Sequence, residues 1–96
     1  IDAVINRGDF SRCDLTGASL VLTTAKEAKF MNADLTNANL TGINLFKGSL
    51  RKAVLTRTDL KLSNLYGVDF YRAKMQRTNL DQANIKKTLL KLRQES

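Results

Sequence analysis

The sequence predicts an all-β fold, a quadrilateral β-helix in which each coil takes twenty residues and turns four corners. Three observations predict it. A large apolar residue recurs at every fifth position, a small residue stands two places before it, and a short polar residue lies between the two.

The apolar series runs Ile5, Phe10, Leu15, Leu20 and onward in steps of five to Leu90. Seventeen of its eighteen members are large, Ala25 being the exception. The residue two places earlier is Ala in eight units and Gly, Cys, Ser or Thr in most others, with Ile43 and Val68 the bulky departures. Asp, Asn, Ser or Thr fills thirteen of the eighteen positions in between, where short polar side chains suit turns. Residues five apart on an α-helix lie about 140° apart, so such a stripe makes no helical face. A flat strand sends residues five apart to opposite sides of the sheet, so it fails as well. A chain that bends through a right angle once per five residues sends each large residue, with its small companion, toward one axis. Four bends close a square. Phe10, Phe30 and Phe70 then stack in one column with Leu50 and Leu90, as a twenty-residue coil requires.

Units such as Cys13-Asp14-Leu15-Thr16-Gly17, Ala33-Asp34-Leu35-Thr36-Asn37, Ala38-Asn39-Leu40-Thr41-Gly42 and Ser63-Asn64-Leu65-Tyr66-Gly67 carry a further signal. They resemble the consensus of the pentapeptide repeat proteins: a small residue, Asp or Asn, Leu or Phe, then two variable positions. The resemblance covers residues 3 to about 90 and implies a right-handed β-helix, a solenoid of about 4.5 coils here. Thr23-Thr24-Ala25-Lys26-Glu27, Lys29, Val54 and Lys74 depart from the consensus, so the second coil is expected to bulge or pack loosely near Ala25.

An open solenoid leaves unpaired backbone at its ends. Beyond Ile85 the five-residue period lapses, and Ile85, Leu89 and Leu92 fall at i, i+4 and i+7 with Lys and Arg on the far side. The spacing predicts a β-helix over 1–85 and a short capping α-helix within 86–96. The repeat is in phase by Ala3 and no initiator Met is present, which points to a fragment or a processed form.

Ninety-six residues make one domain at most, and the absence of His, with a single Cys, excludes imidazole catalysis, a Cys/His zinc site and an intrachain disulfide. No cofactor and no metal is expected. No run of eighteen apolar residues occurs, so no membrane-spanning helix is expected. A shaft filled by Leu and Phe has no cavity for a substrate, and an enzyme is not expected. Cys13, at an inward position, is expected to be a buried, inert thiol. Arg7-Gly8-Asp9 and Asn39-Leu40-Thr41 spell adhesion and glycosylation motifs, but the repeat itself dictates those residues.

Sixteen Lys and Arg against nine Asp and Glu give a net charge of +7, which favours acidic partners. Five of the nine acids, Asp9, Asp14, Asp34, Asp59 and Asp69, occupy the position before the central apolar residue, where they are expected to accept local backbone N–H bonds. The last two positions of each unit hold thirteen basic residues and two acidic ones, and ten of the thirteen fall on two adjacent walls. Arg7 and Lys47 lie on one, Arg12, Arg51, Lys52 and Arg72 on the other, and Phe46, Tyr66 and Tyr71, the aromatics outside the core columns, share them. Aromatic anchors beside guanidinium groups are the composition of a binding surface. These nine residues are the candidate partner-binding site.

The expected function is a non-enzymatic interaction scaffold that presents a basic, aromatic-bearing wall to a protein partner with an acidic surface. Direct nucleic-acid binding by the same walls is the alternative, and a structural spacer within a longer protein is another. The family resemblance adds gyrase-binding DNA mimicry, which a charge of +7 opposes. Exposed Val21, Leu22 and Leu62 form a weak apolar stripe, so a monomer or a weak dimer is expected.

Overall fold

A computed structural model describes residues 3–88. The chain closes one coil per twenty residues throughout: parallel bridges join Val4 to Thr24, Thr24 to Asn44, Asn44 to Asn64 and Asn64 to Asn84, and the other three walls repeat the same register. The bridge residue is the one before each central apolar residue, and the corner is formed by the two residues after it. The polar position is therefore on a wall and not in the turn itself, a correction to the expectation from sequence.

Why Asp and Asn favour that position follows from where the backbone N–H groups go. In the unit around Leu35, Leu35 N–H donates to Val54 O at 2.9 Å and Asn37 N–H to Thr56 O at 2.9 Å, both in the following coil. Asp34 N–H donates to Cys13 O at 3.0 Å in the preceding coil, and Ala38 N–H closes the corner on Leu35 O at 2.9 Å. Only the first corner residue, Thr36, has an N–H that no backbone carbonyl reaches, and Asp34 Oδ1 accepts it at 3.0 Å. Asp9, Asp14, Asp59 and Asp69 do the same for Ser11, Thr16, Lys61 and Tyr71. The expectation that these five acids serve the local backbone is met. The side chain bends forward over the corner and caps it.

The core is continuous through the middle coils. Phe30, Leu35, Leu40, Leu45, Leu50, Leu55, Leu60 and Leu65 are buried, with Ala28, Ala33, Ala38 and Ala53 beside them at the inward small positions. Phe10 and Phe30 stack with ring centroids 5.3 Å apart, the column arrangement that the twenty-residue coil requires. Buried hydroxyls bond to carbonyls: Thr58 Oγ1 donates to Leu35 O at 2.7 Å and Ser63 Oγ to Leu60 O at 2.6 Å. Ile5, Leu15 and Leu20 in the first described coil, and Met75, Leu80 and Ile85 in the last, are only partly buried, each with a described coil on one side.

Three expectations are corrected. The coil does not bulge near Ala25, which is fully buried and donates to Asn44 O at 2.7 Å; Asn6 Oδ1, one coil away, supplies the acceptor for Lys26 N–H at 2.9 Å. Cys13 is exposed, because it lies in the first described coil and is packed from one side only. Lys86 and Lys87 form one more corner, with Lys87 at φ 63° and Thr88 N–H on Ile85 O at 3.3 Å, so the coil passes the expected boundary at 85. The rest of the expected capping helix, 89–96, lies outside the described residues.

Candidate functional site

Every corner ends in a left-handed residue. The second corner position, from Arg7 to Lys87 in steps of five, has φ between 55° and 72°, with Gly at only 17, 42 and 67. Positive φ at this place, with the next residue's N–H returning to the residue before the corner, is the signature of a type II turn. The side chains here stand on the outer edges of the square, Arg7, Lys47 and Lys87 along the first and Arg12, Lys52 and Arg72 along the second.

On the first corner, Phe46 and Tyr66 stack with centroids 5.3 Å apart and an interplanar angle of 17°, and Lys47 Nζ lies 5.3 Å from the Phe46 centroid. Arg7 pairs with Glu27 at 3.1 Å and shares with Phe46 a shallow cleft of about 170 Å³. On the second corner the Arg51 guanidinium sits 4.2 Å from the Tyr71 centroid and reaches Asp69 at 3.2 Å, while Arg72 lies 5.3 Å from the same ring. Lys52 is exposed beside them. The nine candidate residues thus form two clusters on adjacent corners, with Arg12 two coils from the Arg51 cluster on the same edge.

The wall between these corners carries Asp9, Lys29, Ser49 and Asp69. Among the described residues, this face and its two bordering corners hold ten Lys and Arg against three acids, Asp9, Glu27 and Asp69. The other two corners and three walls hold four cations, Arg57, Lys61, Lys74 and Arg77, against four acids, Asp14, Asp34, Asp59 and Asp81. The whole net charge of the described chain is therefore on one side. A second cleft, of about 340 Å³, lies at the end of the described residues, lined by Gly67 to Tyr71 and by Lys87 and Thr88.

The five-residue register and the square of parallel bridges narrow the family, and the family models decide it: that for pentapeptide repeats matches residues 9–45 and 49–88, in eight copies. The chain belongs to the pentapeptide repeat family. Pentapeptide repeat proteins fold as right-handed β-helices and are generally structural or interaction proteins. Solved structures agree. A pentapeptide repeat protein from Nostoc PCC 7120 is 36% identical with a TM-score of 0.77, over 80% of this chain and 64% of its own. One from the thylakoid lumen of Arabidopsis thaliana is 24% identical with a TM-score of 0.75, over 97% and 70%. HetL from Nostoc, involved in heterocyst differentiation regulation, is 25% identical with a TM-score of 0.72, over 92% of this chain and 45% of its own. The chain thus spans 45–70% of the lengths of these relatives. No curated protein matches it significantly.

In this pentapeptide repeat protein, sequence reasoning found the two charged edges but missed the wall that joins them. Lys29 reads as a lapse from the Asp/Asn consensus, yet it stands midway between the cationic corners. The signal was present: a lysine replacing the corner cap in the one column bordered by both basic edges.

Proposed function

We propose that this protein is a non-enzymatic interaction scaffold whose cationic face docks the acidic surface of a protein partner. The observation that carries the reading is the charge distribution: the described residues have their entire excess of +7 on one face with its two bordering corners and none on the rest. Such a dipolar surface orients an acidic partner before contact and raises its association rate. The backbone is held coil to coil by hydrogen bonds at 2.7–3.2 Å, so little order is left to be lost on binding. A plain spacer has no use for the asymmetry, and a mimic of DNA needs the opposite sign.

Nucleic acid is disfavoured by the state of the rings. A single-strand platform offers free aromatic faces to bases. Here Phe46 and Tyr66 stack on each other and are only partly exposed, and Tyr71 is flanked by Arg51 and Arg72.

The test is capture of partners from nuclease-treated lysate by the immobilised chain and by two charge-reversed variants. Arg51→Glu/Lys52→Glu/Arg72→Glu loses the captured acidic proteins, whereas Arg57→Glu/Arg77→Glu, on the third corner, keeps them. Equal capture by both variants defeats the cationic-face reading.

A further inference from the structure

The cationic face is a wall bordered by two corners. It is three extended residues wide, about 10 Å, and side chains from two corners stand along its margins. That width fits one α-helix, about 10–12 Å across with its side chains. We infer that the occupant of this face is an acidic amphipathic α-helix lying along the coil axis, an inference that rests on the acidic-partner reading above.

The vertical spacing favours a helix. Lys52 and Arg72 are one coil apart on the second corner, and Lys47 and Lys87 are two coils apart on the first, so cations recur at about 4.8 and 9.6 Å along the axis. Carboxylates at i, i+3 and i+4 of a helix recur about every 5.4 Å, and across two coils the mismatch is about 1.2 Å, within the reach of flexible Lys and Arg stems. A β-strand presents one face about every 6.8 Å and is out by about 2 Å at one coil and about 2.8 Å at two.

The floor is suited to the same occupant. Gly67 interrupts the first margin, where a Cβ would lie 3.2 Å from Lys47 Cγ, and the 340 Å³ cleft lies beside it. Val68 and Phe70 line the cleft but are themselves buried in the core, and Tyr71, 47% exposed, stands across from Gly67 as the apolar contact for one residue of the helix. Asp9 and Asp69 are the acids of this wall, and Arg51 pairs with Asp69 at 3.2 Å, which reduces its repulsion of an incoming carboxylate.

The experiment titrates the full chain with a synthetic peptide of about 18 residues, five helical turns, with Glu at i, i+3 and i+4 spacing and one Leu on that face. A second peptide has the same charge with two central prolines, and a third ligand is a mixed-sequence DNA duplex, all at about 50 mM salt. The helical peptide is expected to bind at least about tenfold more tightly than the proline peptide and to gain helicity by circular dichroism. Lys52→Glu/Arg72→Glu, with its fold checked by the same spectra, is expected to lose that binding, and Arg57→Glu/Arg77→Glu to keep it. Equal affinity for the helical and proline peptides overturns the helix and leaves the acidic-partner reading standing. Failure of both peptides to bind, or tighter binding of the duplex than of the helical peptide, overturns both.

Discussion

Asp34 Oδ1 accepts two hydrogen bonds from a single residue, Thr36, one from its N–H at 3.0 Å and one from its hydroxyl at 2.6 Å. The same Asp-to-Thr relation one coil earlier joins Asp14 to Thr16, whose N–H lies 3.1 Å from Asp14 Oδ1. The Thr hydroxyl first, and the N–H second, hold both carboxyls below the usual carboxylate range, against desolvation at both and, at Asp34, the like charge of Asp14.

A pH dependence follows. Carboxyls with a folded pKa below the unfolded one contribute stability above the unfolded value, and the contribution is lost as pH falls through the lowered folded values, that is, below about pH 4. Thermal melts of the native chain are expected to fall across that range. Asp14→Asn/Asp34→Asn keeps the acceptor oxygen and loses the titration, so its melting temperature is expected to change less between pH 5 and 2.5. An unchanged slope in the double variant would show that the caps do not titrate in that range.

The corner caps also predict a stabilising substitution. Val54 occupies the cap position between Asp34 and Lys74 in its column and has no acceptor for Thr56 N–H. Val54→Asn supplies one, as Asn39 does for Thr41 N–H at 3.1 Å. It is expected to add about 1 kcal/mol, read as a higher midpoint in urea. A lower midpoint would mean that the side-chain contacts of Val54 outweigh the hydrogen bond.

The coil, its twenty-residue register and the buried Leu and Phe columns are legible in the sequence because burial is periodic and each period names its inward residue. The corners are not. At the left-handed position Arg7, Leu22, Glu27 and Lys52 share one backbone conformation, and only Gly17, Gly42, Gly67, Asn32 and Asn37 hint at it. Inter-coil hydrogen bonds override the residue preference there. The same limit applies to the candidate site: charge columns can be read at twenty-residue spacing, but the Arg51–Tyr71 contact and the cleft beside Gly67 depend on side-chain directions that spacing does not encode. Exposure of Cys13 was likewise hidden, since the repeat marks it as inward without saying how many coils cover it.

Left-handed corners carry a cost that can be removed. Leu62 has φ 60° and is 57% exposed, so its side chain gains little from burial while its Cβ opposes the conformation, at about 1–2 kcal/mol. Leu62→Gly removes that strain but adds freedom to the unfolded chain, and a net gain of about 0.5–1 kcal/mol in unfolding free energy is expected. A loss on substitution would mean that Leu62 packs more strongly than its exposure indicates.

Gly48 is the reverse case, a glycine required by space and not by a positive φ. It stands at the inward small position, where Ala28, Ala33, Ala38 and Ala53 are all accepted and buried. A Cβ at residue 48 would lie 2.7 Å from Leu45 Cδ1 and 2.8 Å from Ala28 O. The first contact can be eased by turning the Leu45 side chain in a packed core. The second is with backbone of the preceding coil, whose carbonyl already accepts Ser49 N–H at 3.0 Å and cannot retreat without lengthening that bond. Gly48→Ala is therefore expected to cost about 1–3 kcal/mol by overpacking. Ala53→Gly, at the next inward small position, should destabilise by loss of a buried methyl and added chain freedom, with no steric relief. Equilibrium unfolding of both variants checks the pair, and a Gly48→Ala protein as stable as the native chain would show that the coils can separate at that wall without penalty.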